Sequence, residues 1–280
     1  MPPENQSPSH KDYCTDQVRL YDYHRYFAAA FAPEDIRRAL MALYAFNLEI
    51  AATRERVSEA LLGQMRLQWW RETIGGIYNG TVRNHAVAEE IARAVEACDL
   101  LQDGFERMID GRMFDLEEEP PEDINALTNY VSATSGALTR LAMDICGQND
   151  HGDDAEIVGR YWGIAGLLRA FPHHAAQRRI FVPKDILRTQ NISVEDLIER
   201  KSGVDGSLAF NALAGLAEKT EAGRLRFPKS ARPAIAYAAI AGSYLRRLKH
   251  AGFDVYAKRL EPSRSGAQLR ILRSALTGRL

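Results

Sequence analysis

The groups in this sequence best able to do chemistry are two acids, two adjacent histidines, a set of basic residues and a set of aromatic rings. Glu49 and Glu55 stand six residues apart. On a helix that spacing turns them about 120° from each other, a poor setting for a general acid and base acting on one substrate. His173 and His174 follow Pro172 and precede Gln177-Arg178-Arg179. They could act as soft metal ligands or donate to an anion. Helix neighbours point about 100° apart, however, so both on one metal would need irregular backbone. The plainer reading has them capping carbonyls at a helix end. Arg169, Arg178, Arg179 and Lys184 could hold phosphate without metal, because guanidinium forks match phosphate oxygens; the alternative is a solvated surface. Arg169 differs in following Leu167-Leu168 inside an apolar segment, and so calls for a buried partner. Tyr44, Phe46, Trp69 and Trp70 could line an apolar cavity or form plain core.

Helices must position these groups. Pro33-Glu34-Asp35 suits a first turn, where a missing N–H costs nothing and the macrodipole favours acids. Ile36, Leu40, Leu43, Phe46 and Ile50 then recur at helical intervals. After Ser58, an N-cap candidate, Leu67, Trp70, Ile74 and Ile77 form one stripe, and Leu62, Met65 and Trp69 a second. Two apolar sides predict a helix sandwiched inside a bundle. Further helices are expected over 84–101, 103–116, 123–147, 153–171, 193–202, 207–222, 231–250 and 264–277, with Pro172 stopping the one before it. Glu117 to Pro121 reads as a loop and Phe181-Val182-Pro183 as a short extended piece. Residues 1–16, polar with three prolines, are expected to be a disordered tail, and residues 17–280 a single all-α domain.

The composition sets limits. A chain of 280 residues, 46% hydrophobic and 26% charged, is ample for a buried core and ordinary for a soluble globular protein. Three scattered cysteines, Cys14, Cys98 and Cys146, exclude a disulfide framework and any CxxC motif. Cys98 and Cys146 read as reduced core positions. The net charge of −1 hides a division: residues 1–159 carry 14 Lys and Arg against 28 Asp and Glu, the rest 22 against 9. Either the C-terminal half faces an anion, or the two halves neutralise each other across one fold. The longest mainly apolar run, Pro233 to Leu245, is 13 residues, short of the roughly 18–20 that a membrane span needs. With Arg246, Arg247 and Lys249 behind it, that run could lie against an anionic membrane. The lack of an Arg- and Ser-rich presequence favours a bacterial cytoplasm over a mitochondrial matrix.

Two segments carry a family likeness. One is Ala39-Leu40-Met41-Ala42-Leu43-Tyr44-Ala45-Phe46, running on to Glu55, followed by Met65-Arg66-Leu67-Gln68-Trp69-Trp70-Arg71. The other is Gly163-Ile164-Ala165-Gly166-Leu167-Leu168-Arg169, then Arg179-Ile180-Phe181-Val182-Pro183. Both resemble the squalene/phytoene synthase family, all-α prenyltransferases that join two prenyl diphosphates head to head. Weaker matches at Met108 to Gly111, Asp115-Leu116, Leu127, Tyr130 and Tyr244 to Val255 extend the resemblance over residues 20–275. It implies a helical bundle of the isoprenoid (terpenoid) synthase type. In that family two Asp-rich motifs on facing helices, each with aspartates at i and i+4, hold Mg²⁺ against the departing diphosphate. Here the first pair aligns with Ala51 and Glu55 and the second with Ala170 and His174, so three of the four oxygen ligands are gone. No catalytic residue or metal site is therefore expected. The resemblance also makes Glu49 or Glu55 the expected partner of Arg169, in a salt bridge filling space once held by metal.

Ala45-Phe46-Asn47-Leu48-Glu49, Val57-Ser58-Glu59, Gln68-Trp69-Trp70, Leu168-Arg169-Ala170 and Pro172-His173-His174 resemble one branch of the family, that of mitochondrial complex I assembly factor 6 and its bacterial relatives. That branch implies a non-catalytic role in assembling respiratory complex I, the NADH dehydrogenase. Its partners would be complex I subunits or assembly intermediates, and it would need no cofactor. Two alternatives stand beside it. One is an active prenyl-diphosphate synthase that uses Mg²⁺; the other is a carrier holding an isoprenoid or quinone in a cavity lined by Tyr44 and Trp69. Anion-binding candidates are Arg169, His173, Arg178 and Arg179, with Glu49 beside them. Contact with the inner face of an anionic membrane is expected, and nucleic acid is not.

Overall fold

The computed structural model describes residues 10–200 and 205–280, and those residues form helices and turns without strands. The first group of helices is α1 (His10–Tyr21), α2 (Tyr23–Ala29), α3 (Glu34–Ala51), α4 (Ala60–Tyr78), α5 (Ala86–Cys98) and α6 (Gln102–Met113). Next come α7 (Ile124–Val131), a π-helical turn (Ser132–Gly136), α8 (Ala137–Ile145) and the long α9 (Gly152–Ala176). The chain finishes with α10 (Lys184–Thr189), α11 (Val194–Ile198), α12 (Ser207–Lys219), α13 (Arg232–Ile235), α14 (Ala239–His250) and α15 (Arg264–Thr277).

α3 is the axis of the bundle. Pro33 precedes it, Glu34 and Asp35 occupy its first turn, and every residue from Ala39 to Asn47 is buried. A helix covered on all sides is a core helix; α1, α5 and α8 do the covering. α4 departs from expectation. Its stripe of Leu67, Trp70 and Ile74 is buried, but Leu61, Leu62 and Met65 are exposed, so α4 packs one face on α6 and is not sandwiched. α9 lies between α8 and α12 and crosses the π-helical turn closely. A Cβ on Gly159 would meet the Ser135 carbonyl oxygen at 2.4 Å, so only glycine permits that approach.

Four further expectations need correction. The N-terminal tail does not reach residue 16, because α1 starts at His10 and buries Cys14 and Val18; residues 1–9 lie outside the described residues. Pro172 does not stop α9, which runs on to Ala176. Proline removes the bond that the Leu168 carbonyl would accept and costs about 3 kcal/mol in a helix interior. Leu168, Phe171 and Ala175 are all buried, with Phe171 edge-on to Phe210 of α12 at 4.7 Å, and this packing outweighs the break. The run from Pro233 to Leu245 is no membrane-facing helix: it divides into α13, a 3₁₀ turn and the start of α14, and it is buried nearly throughout. The helix expected over 193–202 shortens to α11, its last two residues falling outside the described ones. Cys14 and Cys146 are buried, which pushes both thiols up to about 12, whereas Cys98 is only half-buried.

Candidate functional site

The C-terminal ends of α3 and α9 bring the sequence-predicted positions together. α3 stops at Ala51, and the chain turns through Ala52 and Thr53 into a 3₁₀ turn, Arg54–Arg56. Glu55 therefore does not share a helix face with Ala51. On α9, Ala170 and His174 do share one, four residues apart. The two segments meet where His173 Nε2 lies 3.3 Å from Glu55 Oε1, with both side chains more than half exposed. His174 turns inward, its ring 5.0 Å from that of Phe181. Burial, reinforced by the nearby charge of Arg179, pushes its imidazole down to about 4, so it is neutral at physiological pH.

Behind this contact lies a buried polar network. Asp115, 5% exposed, accepts hydrogen bonds from Tyr130 Oη at 2.8 Å, Arg112 at 3.1 Å and Arg179 at 3.1 Å. Arg112 also donates to Asn47 Oδ1 of α3 at 3.4 Å and to Tyr130 Oη at 3.2 Å. One carboxylate thus joins α6, α7 and the segment after α9, and Arg112 extends the network to α3. Glu49 has a similar fate: it is buried, and accepts from Arg56 at 2.6 Å and from Arg66. Each buried acid is held by two guanidiniums, an arrangement that locks neighbouring helices while keeping the local charge positive.

The remaining predicted residues do not converge. Arg169 pairs with Glu261 at 3.4 Å and lies 5.0 Å from the Trp162 ring, not on Glu49 or Glu55. Its side chain is 31% exposed, so solvent supplies part of what a buried partner would have had to. The basic cluster divides in the same way. Arg179 belongs to Asp115, Lys184 to Glu119 and Glu122, and Arg178 is exposed with a left-handed backbone. Nor do Tyr44 and Trp69 line one cavity. Tyr44 is 1% exposed, its ring 5.6 Å from the guanidinium of Arg25, which also lies against Trp162 and Tyr237 and pairs with Asp22 at 2.6 Å. Trp69 packs elsewhere, against Trp70 and His85, with Arg83 above it.

A Mg²⁺ cluster needs several free oxygen ligands facing one another. Glu55 is one. Asp115 and Glu49 are each taken by two arginines, and His174 offers a nitrogen. Among the described residues no group of three or more His, Cys, Asp or Glu could hold a metal ion. The residues present do not fit the metal cluster of the resembling synthases. Three arginines central to these networks were missed from sequence: Arg25, Arg66 and Arg112. Each had a signal, a lone cation within an aromatic or apolar helical run: Tyr23-His24-Arg25-Tyr26-Phe27, Met65-Arg66-Leu67, and Ile109 to Phe114 around Arg112.

Comparison with known proteins agrees with this layout. The chain is 31% identical over 256 residues to NADH dehydrogenase (ubiquinone) complex I, assembly factor 6 of Bos taurus, covering 89% of this chain and 77% of that protein. It is 24% identical over 249 residues to a phytoene synthase of Cereibacter sphaeroides, covering 81% and 68%. A crystal structure of a dehydrosqualene synthase superposes with a TM-score of 0.83 at 17% identity, over 95% of each chain, which assigns the isoprenoid synthase fold. The squalene/phytoene synthase family model matches residues 18–268, a span that holds α3, α9 and the contact between them, and the chain belongs to that family.

Proposed function

We propose that this chain is a non-catalytic member of its family that acts in the assembly of respiratory complex I, through contact with complex I subunits or assembly intermediates. The observation that carries the reading is the fate of the acids near the old metal positions: Asp115 and Glu49 are each bound by two arginines, while Ala51, Ala170 and His174 offer no carboxylate. The likeness to complex I assembly factor 6 supports the role. The carrier alternative loses its support, since Tyr44 and Trp69 sit in separate packed settings. Among the described residues no helix is long and apolar enough to cross a bilayer.

Pyrophosphate release tests the non-catalytic half. Purified protein with Mg²⁺ and farnesyl or geranylgeranyl diphosphate should release no more pyrophosphate than a protein-free blank. Turnover that disappears in Glu55→Ala would overturn the reading in favour of an active prenyl-diphosphate synthase.

A further inference from the structure

Away from the ends of α3 and α9, the helices α14 and α15 and the C-terminal residues line a cavity of about 340 Å³ that opens to solvent, with Tyr161 of α9 in its wall. That volume falls within the roughly 300–1,000 Å³ of small-molecule sites. Arg246, Arg270, Arg273 and Arg279 line it. Elsewhere in this molecule arginines repeatedly meet carboxylates, as in Arg38–Glu90, Arg107–Glu156 and Arg179–Asp115. None of these four has an ion-pair partner among the described residues. Glu218, whose field reaches Tyr161, bonds to none of them. The crowding is felt within the cluster: burial and the charges of Arg246, Arg247 and Arg273 hold the Arg270 guanidinium below its usual pKa.

A second observation is independent of charge. Ser274 also lines the cavity, is 1% exposed, and its Oγ has no hydrogen-bond partner. Buried hydroxyls left unpaired cost about 1–3 kcal/mol, so a ligand acceptor would satisfy this one. Gly242 lets the Tyr161 hydroxyl close in on α14 at the wall, since a Cβ there would meet it at 2.9 Å.

We propose that this cavity binds a phosphate or diphosphate group, with Arg246, Arg270, Arg273 and Arg279 as counter-charges and Ser274 Oγ as a neutral donor. Guanidinium forks match phosphate oxygens, and clustered arginines with no ion-pair partner among the described residues are a setting in which an anion relieves repulsion. The group could arrive on a soluble phosphate compound or as the headgroup of a phosphatidate lipid.

The experiment uses the full chain, with Arg270→Gln/Arg273→Gln as the site variant, Ser274→Ala as a variant that keeps every charge, and Arg178→Gln as an exposed-arginine control. Thermal shift and calorimetry with pyrophosphate form one arm; co-sedimentation with phosphatidylcholine vesicles, with and without phosphatidate, forms the other. Saturable binding is expected in at least one arm, weakened tenfold or more in the double variant, measurably weakened in Ser274→Ala and unchanged in Arg178→Gln. Binding of pyrophosphate alone identifies a soluble ligand, and binding of phosphatidate vesicles alone a lipid headgroup. No saturable binding in either arm, or equal weakening by Arg178→Gln, overturns the proposal.

Discussion

Asp115 and Arg169 show how far apart two charged residues of one fold can be in worth. Asp115 is buried beneath two guanidiniums and a phenol. Asp115→Ala would leave Arg112 and Arg179 uncompensated and should cost about 3–5 kcal/mol in urea unfolding. Arg169 has an exposed partner at 3.4 Å, so Arg169→Ala should cost about 1 kcal/mol or less. Equal losses in the two variants would contradict these assignments. His174 adds a pH dependence. Its folded pKa is depressed to about 4, below the unfolded value near 6.5. The unfolded state therefore binds the extra proton as pH falls through that window. Stability attached to His174 is complete above about pH 6.5 and declines toward pH 4, by an amount on the order of 3 kcal/mol. In His174→Gln the loss of stability between pH 7 and pH 5 should be smaller than in the parent; an unchanged loss would mean that His174 titrates normally in the fold. The nearness of Glu55 to the end of α9 is not written in local pattern, since the two segments meet through the His173–Glu55 contact, 118 residues apart. The pairing of Arg179 was not legible in the sequence either, because its partner lies 64 residues away and local pattern carries no information about that reach.

At the scale of elements, α15 and α9 mark where sequence reasoning works and where it fails. The helix expected over 264–277 matches α15, whose ends are set locally: Ser263 caps the first turn, and Gly278 takes the left-handed conformation after the last. α9 was expected to end at Pro172 by a rule that is also local, and burial of Leu168, Phe171 and Ala175 overrides it. Two glycines on α9 test the packing account directly. Gly159 touches the Ser135 backbone, so Gly159→Ala should destabilise by about 1–3 kcal/mol. Gly166 has open space around its Cβ position, and Gly166→Ala should stabilise by about 0.5–1 kcal/mol. Thermal unfolding of both variants checks the pair; stabilisation by both would show that α9 does not depend on the close crossing.

Across the whole molecule, the charge division resolves into two parts. Some C-terminal cations neutralise N-terminal acids, as Arg179 does Asp115 and Lys184 does Glu119 and Glu122. Others, around the α14–α15 cavity, have no ion-pair partner among the described residues. Fold class was legible because helical periodicity runs along nearly the whole chain. The packed state of Arg25, Tyr44, Trp162 and Tyr237 was not, since nothing local says whether an aromatic stripe encloses space or fills it. The central claim is that a synthase fold serves complex I assembly without prenyl transfer. NADH:quinone reductase activity of membranes from a strain lacking this gene tests that claim most directly. The account predicts loss of that activity, restored by the parent gene, with succinate-driven respiration intact. Normal NADH-driven activity in the deletion strain, together with missing carotenoids or hopanoids, would contradict it and assign the chain to isoprenoid synthesis.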